Sequence, residues 1–337
     1  MNILAIESSC DDTSVAIVRD GREIVSMETF SQVKRHEIFG GVVPEIASRC
    51  HLEAIGGLTK LVFKNSNLKK TDISAVAVTY APGLIGSLLV GLSFAKGLSM
   101  SLGIPLVHVH HIKSHIASNY LSHKELKPPF ICLVVSGGHT NIIEVKSYTD
   151  MRIIGKTIDD AAGETFDKAA RCLGFPYPGG IYLDKAADTG NMDAFDFPIP
   201  QLKNSIYDFS FSGIKTSVIN KINNLKQKNI QINTPDVSAS LRKTIVKYLI
   251  QNLEKATLAF NHDKIAIAGG VSANSLLRKE LKKQGGRHNW KVFLPDLNLC
   301  SDNAAMVGSQ AYYELINGKK ANLNLNAYAS MSIEERE

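Results

Sequence analysis

Residues 3–18 read ILAIESSCDDTSVAIV, which is an apolar run, a short polar turn and a second apolar run. This pattern predicts a β-hairpin with functional atoms at its tip. The same layout recurs at residues 131–145, ICLVVSGGHTNIIEV, where SGGHT stands in the place of SCDDT. A repeat at this spacing is too long for a solenoid and predicts two similar lobes. A chance likeness between two hairpins is the alternative.

Strand-like and helix-like segments alternate after each hairpin, which is typical of an α/β protein. The strand-like segments lie at residues 73–80, 106–109, 264–268 and 291–294, and a helix is expected from about residue 274. Residues 73–95 carry no formal charge and have the length of a membrane span, but they contain a proline and three glycines. We therefore predict a buried strand, a turn and a helix there, and no membrane association.

The composition bounds the class of protein. The chain has 337 residues, of which 44% are hydrophobic and 21% are charged, so it can bury a sizeable core and is neither disordered nor collagen-like. Its five cysteines form no CxxC pair, which favours reduced thiols over a disulfide scaffold or a zinc ribbon. An acidic residue at position 7 interrupts any signal peptide. We expect a cytoplasmic protein.

Positive charge is concentrated in the second half of the chain. The net charge is +6, and residues 191–291 contain 16 basic against 7 acidic residues. This excess predicts a basic face that suits a polyanionic partner. Ordinary solvated helix surface is the alternative interpretation.

Four histidines, at positions 108, 110, 111 and 115, fall within eight residues. His111 and His115 are four apart, so on a helix they would share one face and could bind one metal ion. A two-histidine site usually takes a carboxylate as third ligand, and Asp302 is the best remote candidate. Two alternatives stay open: a hydrogen-bonded histidine cluster, and an N-cap role for Asp302.

Two glycine pairs follow apolar strands. Gly137 and Gly138 come after residues 131–135, and Gly269 and Gly270 come after residues 264–268 and before Asn274. Glycine at such a position lets backbone N–H groups approach an anion. The chain contains neither a Walker A motif nor GxGxxG, so P-loop and Rossmann interpretations are disfavoured.

The sequence resembles the TsaD family, also called Gcp or YgjD, over essentially the whole chain. The resemblance rests on nine motifs: ESSCDDTS at 7–14, PGLIGSLLVG at 82–91, HHIKSH at 110–115, VVSGGHT at 134–140, DDAAGETFDKAAR at 159–171, PYPGG at 176–180, FSFSGIKT at 209–216, GGVSAN at 269–274 and SDNAAM at 301–306. Asp12 departs from the glutamate that is frequent in the family, and Ser114 from alanine or glycine.

The resemblance implies a duplicated actin/Hsp70-like (ASKHA, ribonuclease H-like) α/β fold with an inter-lobe cleft. We expect an N-terminal lobe at residues 1–127, onto which residues near the C-terminus pack back, a C-terminal lobe at 128–325 and a tail at 326–337. The implied metal ligands are His111, His115 and Asp302, for one Fe²⁺ or Zn²⁺. The implied substrate-binding residues are Val134, Val135, Ser136, Gly137, Gly138, Asp167, Gly180, Asp184 and Asn274, and the other cleft candidates are Ser9, Asp11, Asp12 and His139.

The implied activity is transfer of the threonylcarbamoyl group from threonylcarbamoyl-AMP to N6 of adenosine 37 in tRNAs that read codons starting with A. No side chain stands out as general base. TsaB and TsaE proteins are the expected partners, and a homodimer is an expectation as well. The rival hypotheses are an actin-like ATPase or kinase, a metal-dependent peptidase and a non-catalytic scaffold. Ile112 argues against the peptidase, because an HExxH site needs glutamate there.

Overall fold

The structure, a computed structural model, describes residues 1–203 and 205–335, in which strands and helices alternate. The strands are β1 (Asn2–Glu7), β2 (Asp12–Arg19), β3 (Glu23–Ser31), β4 (Ile73–Ala81), β5 (Leu106–His110), β6 (Phe130–Val135), β7 (Thr140–Val145), β8 (Met151–Lys156), β9 (Lys264–Ala268) and β10 (Lys291–Phe293). The helices are α1 (Val33–Glu37), α2 (Pro44–Ser66), α3 (Ile85–Leu102), α4 (His111–Ser122), α5 (Ala162–Cys172), α6 (Gly179–Ala186), α7 (Ser212–Gln227), α8 (Thr234–Ala259), α9 (Ser275–His288) and α10 (Ala304–Ile316). The predicted strand and helix segments are confirmed.

Two five-stranded sheets share one strand order. The first is β3-β2-β1-β4-β5 and the second, read in the same sense, is β8-β7-β6-β9-β10. In each sheet the strand that opens the predicted hairpin is central and pairs in parallel with the strand beside it, β4 or β9. The sheets also end in a parallel pair, β4–β5 and β9–β10. The internal duplication that the hairpin repeat predicts is therefore present.

Alternating residues of β1 pack into two different hydrophobic cores, one on each face of the first sheet. Ile3 and Ala5 pack towards α10, whereas Leu4 and Ile6 pack towards α2 and α3. The α10 face of the sheet is rich in alanine, and a Cβ at Gly308 of α10 would lie only 2.7 Å from Val18. Small residues on both surfaces therefore let this helix lie close to the sheet, which positions its N-terminus beside the strand ends.

The chain forms two compact units. Unit 1 contains Met1–Pro128, Val145–Arg152 and the residues from Pro295 onward, and unit 2 contains Pro129–Glu144 and Ile153–Leu294. The expected second lobe at 128–325 differs from unit 2, because α10 buries its apolar face on the first sheet. Part of the expected tail at 326–337 also packs on unit 1, where Tyr328 N–H donates to the Tyr80 carbonyl. Residues 336 and 337 of that tail lie outside the described part.

One helix, α3, has the length and apolar composition of a membrane span, with a mean hydropathy of 1.4. Core helices of soluble proteins also meet these two criteria. Leu88, Leu92 and Ala95 of α3 are buried in the core of unit 1. Packing in this core buries 33% of the helix, whereas Ile85, Leu89 and Met100 are exposed.

The guanidinium of Arg22 anchors residues 145–152 to the rest of unit 1. It donates hydrogen bonds to the carbonyls of Tyr120, His123 and Leu126 and to the hydroxyl of Tyr148, at 3.0–3.2 Å. Its carbon also lies 4.9 Å from the ring centroid of Tyr120 and 5.7 Å from that of Tyr148. One cation thus satisfies several buried acceptors and stacks on aromatic faces.

Replacing Arg22 with alanine is expected to lower the free energy of unfolding by about 2–3 kcal/mol, because buried carbonyls lose their donor. The matched control is Arg19→Ala, since Arg19 pairs with Glu23 on the surface and such pairs contribute at most about 1 kcal/mol. Urea unfolding of both variants measures the difference. Equal losses in the two variants would contradict the anchoring role.

Candidate functional site

Two of the four clustered histidines share a buried face at the start of α4. Strand β5 ends at His110 and α4 begins at His111, so His111 and His115 lie one turn apart with ring centroids 4.6 Å from each other. Their exposed fractions are 7% and 1%. His110 has a structural role instead, because its Nδ1 accepts the Ile112 N–H at the helix N-terminus. His111 and His115 therefore share one helix face, as their four-residue spacing predicts.

Asp302 joins this pair. Its Oδ1 lies 3.2 Å from His115 Nε2 and 3.6 Å from His111 Nε2. The alternative N-cap role for Asp302 is wrong, because Asn303 Oδ1 caps α10 by accepting the Met306 N–H at 2.9 Å. The Asp302 carboxylate therefore faces the histidines, and the candidate ligand atoms of the three residues lie within 4.8 Å of one another.

The Glu7 carboxylate contacts the Nδ1 side of the His111 ring, which is the side away from Asp302. This carboxylate is completely buried at the end of β1, and its Oε1 accepts the Ser9 N–H while its Oε2 accepts the Thr79 hydroxyl, each at 2.6 Å. Its Oε2 also lies 3.4 Å from His111 Nδ1, and Ser9 Oγ lies 3.2 Å from that nitrogen. A proton on Nδ1 that points to Glu7 would leave the Nε2 lone pair facing Asp302. This is the arrangement that metal-binding histidines usually show.

The charges of the cluster favour a protonated imidazole when the protein is metal-free. Burial lowers the pKa of His111, but the carboxylates of Asp302 and Glu7 outweigh burial and raise this pKa to about 9. Burial alone would raise the pKa of Glu7. Its hydrogen bond and charge interaction with His111 outweigh burial, so the pKa of Glu7 lies below its ordinary value. The buried Glu7 carboxylate and the partly buried Asp302 carboxylate thus lie on either side of one cation, which a divalent metal ion could replace.

The residues fit a divalent metal ion. Both ring nitrogens of His115 are buried, and neither forms a hydrogen bond among the described residues, although the Asp302 carboxylate lies 3.2 Å from Nε2. An unpaired buried nitrogen is costly unless a ligand completes it. Two imidazoles and a carboxylate are also the donor set of zinc and of non-haem iron(II) sites. His111, His115 and Asp302 are therefore the residues of unit 1 that could hold a metal.

The turn between β1 and β2 carries the other unit 1 candidates. Ser9 reaches the histidine cluster, as described above, whereas Asp12 packs at the start of β2. Burial raises the pKa of Asp12 to about 7, although a hydrogen bond with Ser31 opposes this shift. Buried His51 supports the turn, because its ring nitrogens lie 2.7 Å from Thr13 Oγ1 and 2.9 Å from the Cys10 carbonyl. Asp11 is partly buried beside Asp12.

In unit 2 the turn after β6 is tightly held. Ser136 N–H donates to the His139 carbonyl at 2.8 Å, and His139 N–H donates to Ser136 Oγ at 3.2 Å. Two glycines press against this turn, since a Cβ at Gly163 would overlap the Ser136 carbonyl and a Cβ at Gly269 would overlap the Val135 carbonyl. Gly269 also has a φ of +87°, which favours glycine. The two predicted glycine loops are therefore neighbours.

The polar candidates of unit 2 form two hydrogen-bonded pairs. Gly180 N–H donates to Asp167 Oδ1, and Asn274 Nδ2 donates to Asp184 Oδ1, both at 2.8 Å. Asn274 Oδ1 also caps α9 by accepting the Leu277 N–H. Arg242, which is 5% exposed, donates to the Asp184 carboxylate at 2.9 Å and so fixes its orientation.

Each unit thus gathers its own candidates. Val134 and Val135 are fully buried at the end of β6, so only their backbone could contact a ligand, whereas Gly137 and Gly138 are exposed. The sequence interpretation missed Glu7, Thr79, Gly163 and Arg242 as site residues. Of these four residues, only Glu7 could have been found from the local sequence, because its carboxylate directly follows the apolar residues 3–6 of a predicted strand.

Comparisons with known proteins identify the family of this chain. A family model described as "TsaD: tRNA N6-adenosine threonylcarbamoyltransferase" matches residues 23–309. A protein of that name from Clostridium botulinum is 49% identical over 336 residues, which is 100% of this chain and 99% of the relative. Another from Clostridium perfringens is 51% identical and covers 99% of this chain and 98% of the relative. This chain belongs to the TsaD family.

Solved structures place the TsaD-family chain in a wider fold class. HypF from T. kodakarensis has a TM-score of 0.63 at 14% identity, covering 94% of this chain and 48% of HypF. Component A of the Acidaminococcus fermentans (R)-2-hydroxyglutaryl-CoA dehydratase has a TM-score of 0.55 at 15% identity. The match covers 94% of this chain and 99% of component A. At these identities the likeness concerns the fold alone. The predicted actin/Hsp70-like α/β class is confirmed.

Substituting Gly163 in this TsaD-family chain is expected to disturb the Ser136 turn. An alanine Cβ would overlap the Ser136 carbonyl and lie 2.9 Å from Gly137 Cα, so Gly163→Ala should cost about 1–3 kcal/mol of unfolding free energy. The matched control is Gly213→Ala, also at the second position of a helix, where the nearest atom lies 3.9 Å away. That variant should be neutral or gain up to about 1 kcal/mol. Urea unfolding that ranks Gly213→Ala below Gly163→Ala would contradict this packing.

Metal affinity of the TsaD-family chain should depend on pH up to unusually high values. The His111 pKa is raised to about 9, so below that pH a metal must displace a proton, and its affinity should fall about tenfold per pH unit. Zn²⁺ titration calorimetry between about pH 7 and 8.5, in buffers of different ionisation enthalpy, should show proton release. A histidine of ordinary pKa would give an almost constant affinity over that range, and such a result would contradict the charge arrangement.

Proposed function

We propose that this chain transfers the threonylcarbamoyl group from threonylcarbamoyl-AMP to N6 of adenosine 37 in tRNAs that read codons starting with A. The N6–carbon bond forms, the carbon–oxygen bond to the phosphate breaks, AMP leaves with the electron pair, and N6 loses a proton. The observation that carries the proposal is the His111–His115–Asp302 cluster, backed by buried Glu7, in a full-length relative of proteins named for this reaction.

We assign His111, His115 and Asp302 as ligands of one Fe²⁺ or Zn²⁺. When bound, such a metal supplies Lewis-acid polarisation and a template that orients the threonylcarbamoyl group. Glu7 would hold the Nδ1 proton of His111 and thereby keep Nε2 available as a ligand atom. Ser9, Asp11 and Asp12 remain candidates at the neighbouring turn, and no residue is assigned as the base that accepts the N6 proton.

Unit 2 would bind the adenylate. Backbone groups of Val134, Val135, Ser136, Gly137 and Gly138 would face the phosphate and acyl part, where exposed glycine N–H groups suit an anion. His139 closes the same turn through its backbone. The adenosine part would be bound by Asp167, Gly180, Asp184 and Asn274. The hydrogen bonds within these two pairs support the proposal, because they hold the polar groups in place before a ligand arrives.

The proposal includes partners and location. TsaB and TsaE proteins would assist the reaction, a homodimer is the expected form of self-association, and the reaction would take place in the cytoplasm, on tRNA. The peptidase alternative loses support, because Ile112, at the position that HExxH assigns to glutamate, is 3% exposed within the apolar core. The ATPase or kinase alternative differs from the proposal in a measurable way, because such an enzyme would turn over ATP alone and would not need tRNA.

Transfer of label from threonyl-labelled threonylcarbamoyl-AMP to unmodified tRNA tests the proposal, with TsaB and TsaE present and absent. His111→Ala should lower transfer by about 100-fold or more, since outer partners of metal ligands alone contribute about 10–100-fold. The matched control is His123→Ala, which changes the histidine that follows α4 and should leave transfer within about twofold of wild type. No transfer by the wild-type chain with active partners would reject the proposed reaction, and equal rates for wild type and His111→Ala would reject the metal role.

A further inference from the structure

Up to residue 257, helix α8 exposes a single narrow stripe of side chains. Of its 26 residues most are buried in the core of unit 2, among them Leu241, Ile245 and Leu249. Between positions 243 and 255 the exposed residues recur every fourth position and are Lys243, Lys247, Gln251 and Lys255. The stripe carries no acidic residue. Its lysines are therefore a row of positive charge on an otherwise buried helix.

Two of these lysines are unneutralised. Lys243 pairs with Asp193, whereas Lys247 and Lys255 form no ion pair with any residue in the described parts of the chain. Lys255 Nζ makes only a 3.3 Å hydrogen bond to the amide oxygen of Asn252. Lys247 and Lys255 are two helical turns apart, about 12 Å along the axis. This separation lets them contact two different anionic groups.

A groove runs beside the stripe. Its volume is about 410 Å³, and Lys247, Gln251 and Lys255 lie along one wall. The groove is also lined by the apolar side chains of Ile199, Pro200 and Ile206. The groove also contains Asp208, whose carboxylate accepts the Lys156 N–H at 2.8 Å. We call this feature the α8 groove.

We propose that the α8 groove binds the sugar-phosphate backbone of the tRNA substrate, with Lys247 and Lys255 contacting separate phosphates. Lysine contacts to phosphates supply most of the sequence-independent affinity for nucleic acids. The apolar side chains that line the same groove suit ribose and base faces of an unpaired strand. The inference rests on the proposed function for its choice of RNA, and it adds a binding surface that shares no residue with the metal ligands or the glycine loops.

The lysines of α9 provide a contrast within the same unit. Lys282 and Lys283 are also exposed, but Lys283 lies 3.6 Å from the Glu280 carboxylate, and neither residue lines the α8 groove. Reversing the charge of these two α9 lysines changes the net charge of the protein by the same amount but leaves the α8 groove unchanged. Lys282→Glu/Lys283→Glu is therefore the matched control for Lys247→Glu/Lys255→Glu.

The test is fluorescence anisotropy of labelled unmodified tRNA with the full chain over a series of salt concentrations. The Lys247→Glu/Lys255→Glu variant should bind at least about tenfold more weakly, and the salt slope should fall by about 1.4, which corresponds to two single-strand phosphate contacts. The control variant should stay within about threefold of wild type. Unchanged thermal unfolding of both variants shows that the fold is intact.

Wild-type affinity and salt slope in the groove variant would overturn the inference, and so would equal weakening in both variants, because that indicates only long-range charge. Either result leaves the proposed function standing as long as the wild-type chain transfers label to tRNA. Conversely, a wild-type chain that binds tRNA through the groove but transfers nothing would reject the proposed reaction and keep the binding surface.

Discussion

The buried carboxylate of Glu7 is the constraint around which unit 1 is organised. A fully buried carboxylate needs several donors, and here they come from the β1–β2 turn, from β4 and from the start of α4. Because β1 and β4 pair in parallel, their carboxyl ends meet at one edge of the sheet. The polar groups that satisfy Glu7 therefore converge where His111 and His115 begin the next helix.

Much of this arrangement could be predicted from the sequence, because local patterns encode it. The apolar runs of β1 and β2 and the four-residue spacing of His111 and His115 need no knowledge of distant contacts. The role of Glu7 could not be predicted in this way, since its partners Thr79 and His111 are remote in the chain. Residue types alone also could not separate Asp302 from Asn303, because both can cap a helix.

The division of the chain was harder to predict for a similar reason. Strand and helix alternation continues without a break past residue 295, so nothing local shows that α10 packs on the first sheet. That return is nevertheless required for the site, because the segment before α10 brings Asp302 to His111 and His115. In unit 2 the turn after β6 likewise depends on residues that are distant in the chain. Gly163 and Gly269 leave the space that this turn occupies. The two units thus use the same sheet order to position different groups, a histidine–carboxylate cluster in one and glycine-rich turns in the other.

X-ray absorption at the zinc edge measures directly whether His111, His115 and Asp302 bind one metal ion. The chain loaded with one equivalent of Zn²⁺ should show two imidazole ligands at about 2.0–2.1 Å together with oxygen ligands. The imidazole signal should disappear in the His111→Ala/His115→Ala variant. A ligand shell made only of oxygen, or an imidazole signal unchanged by that double substitution, would contradict the account.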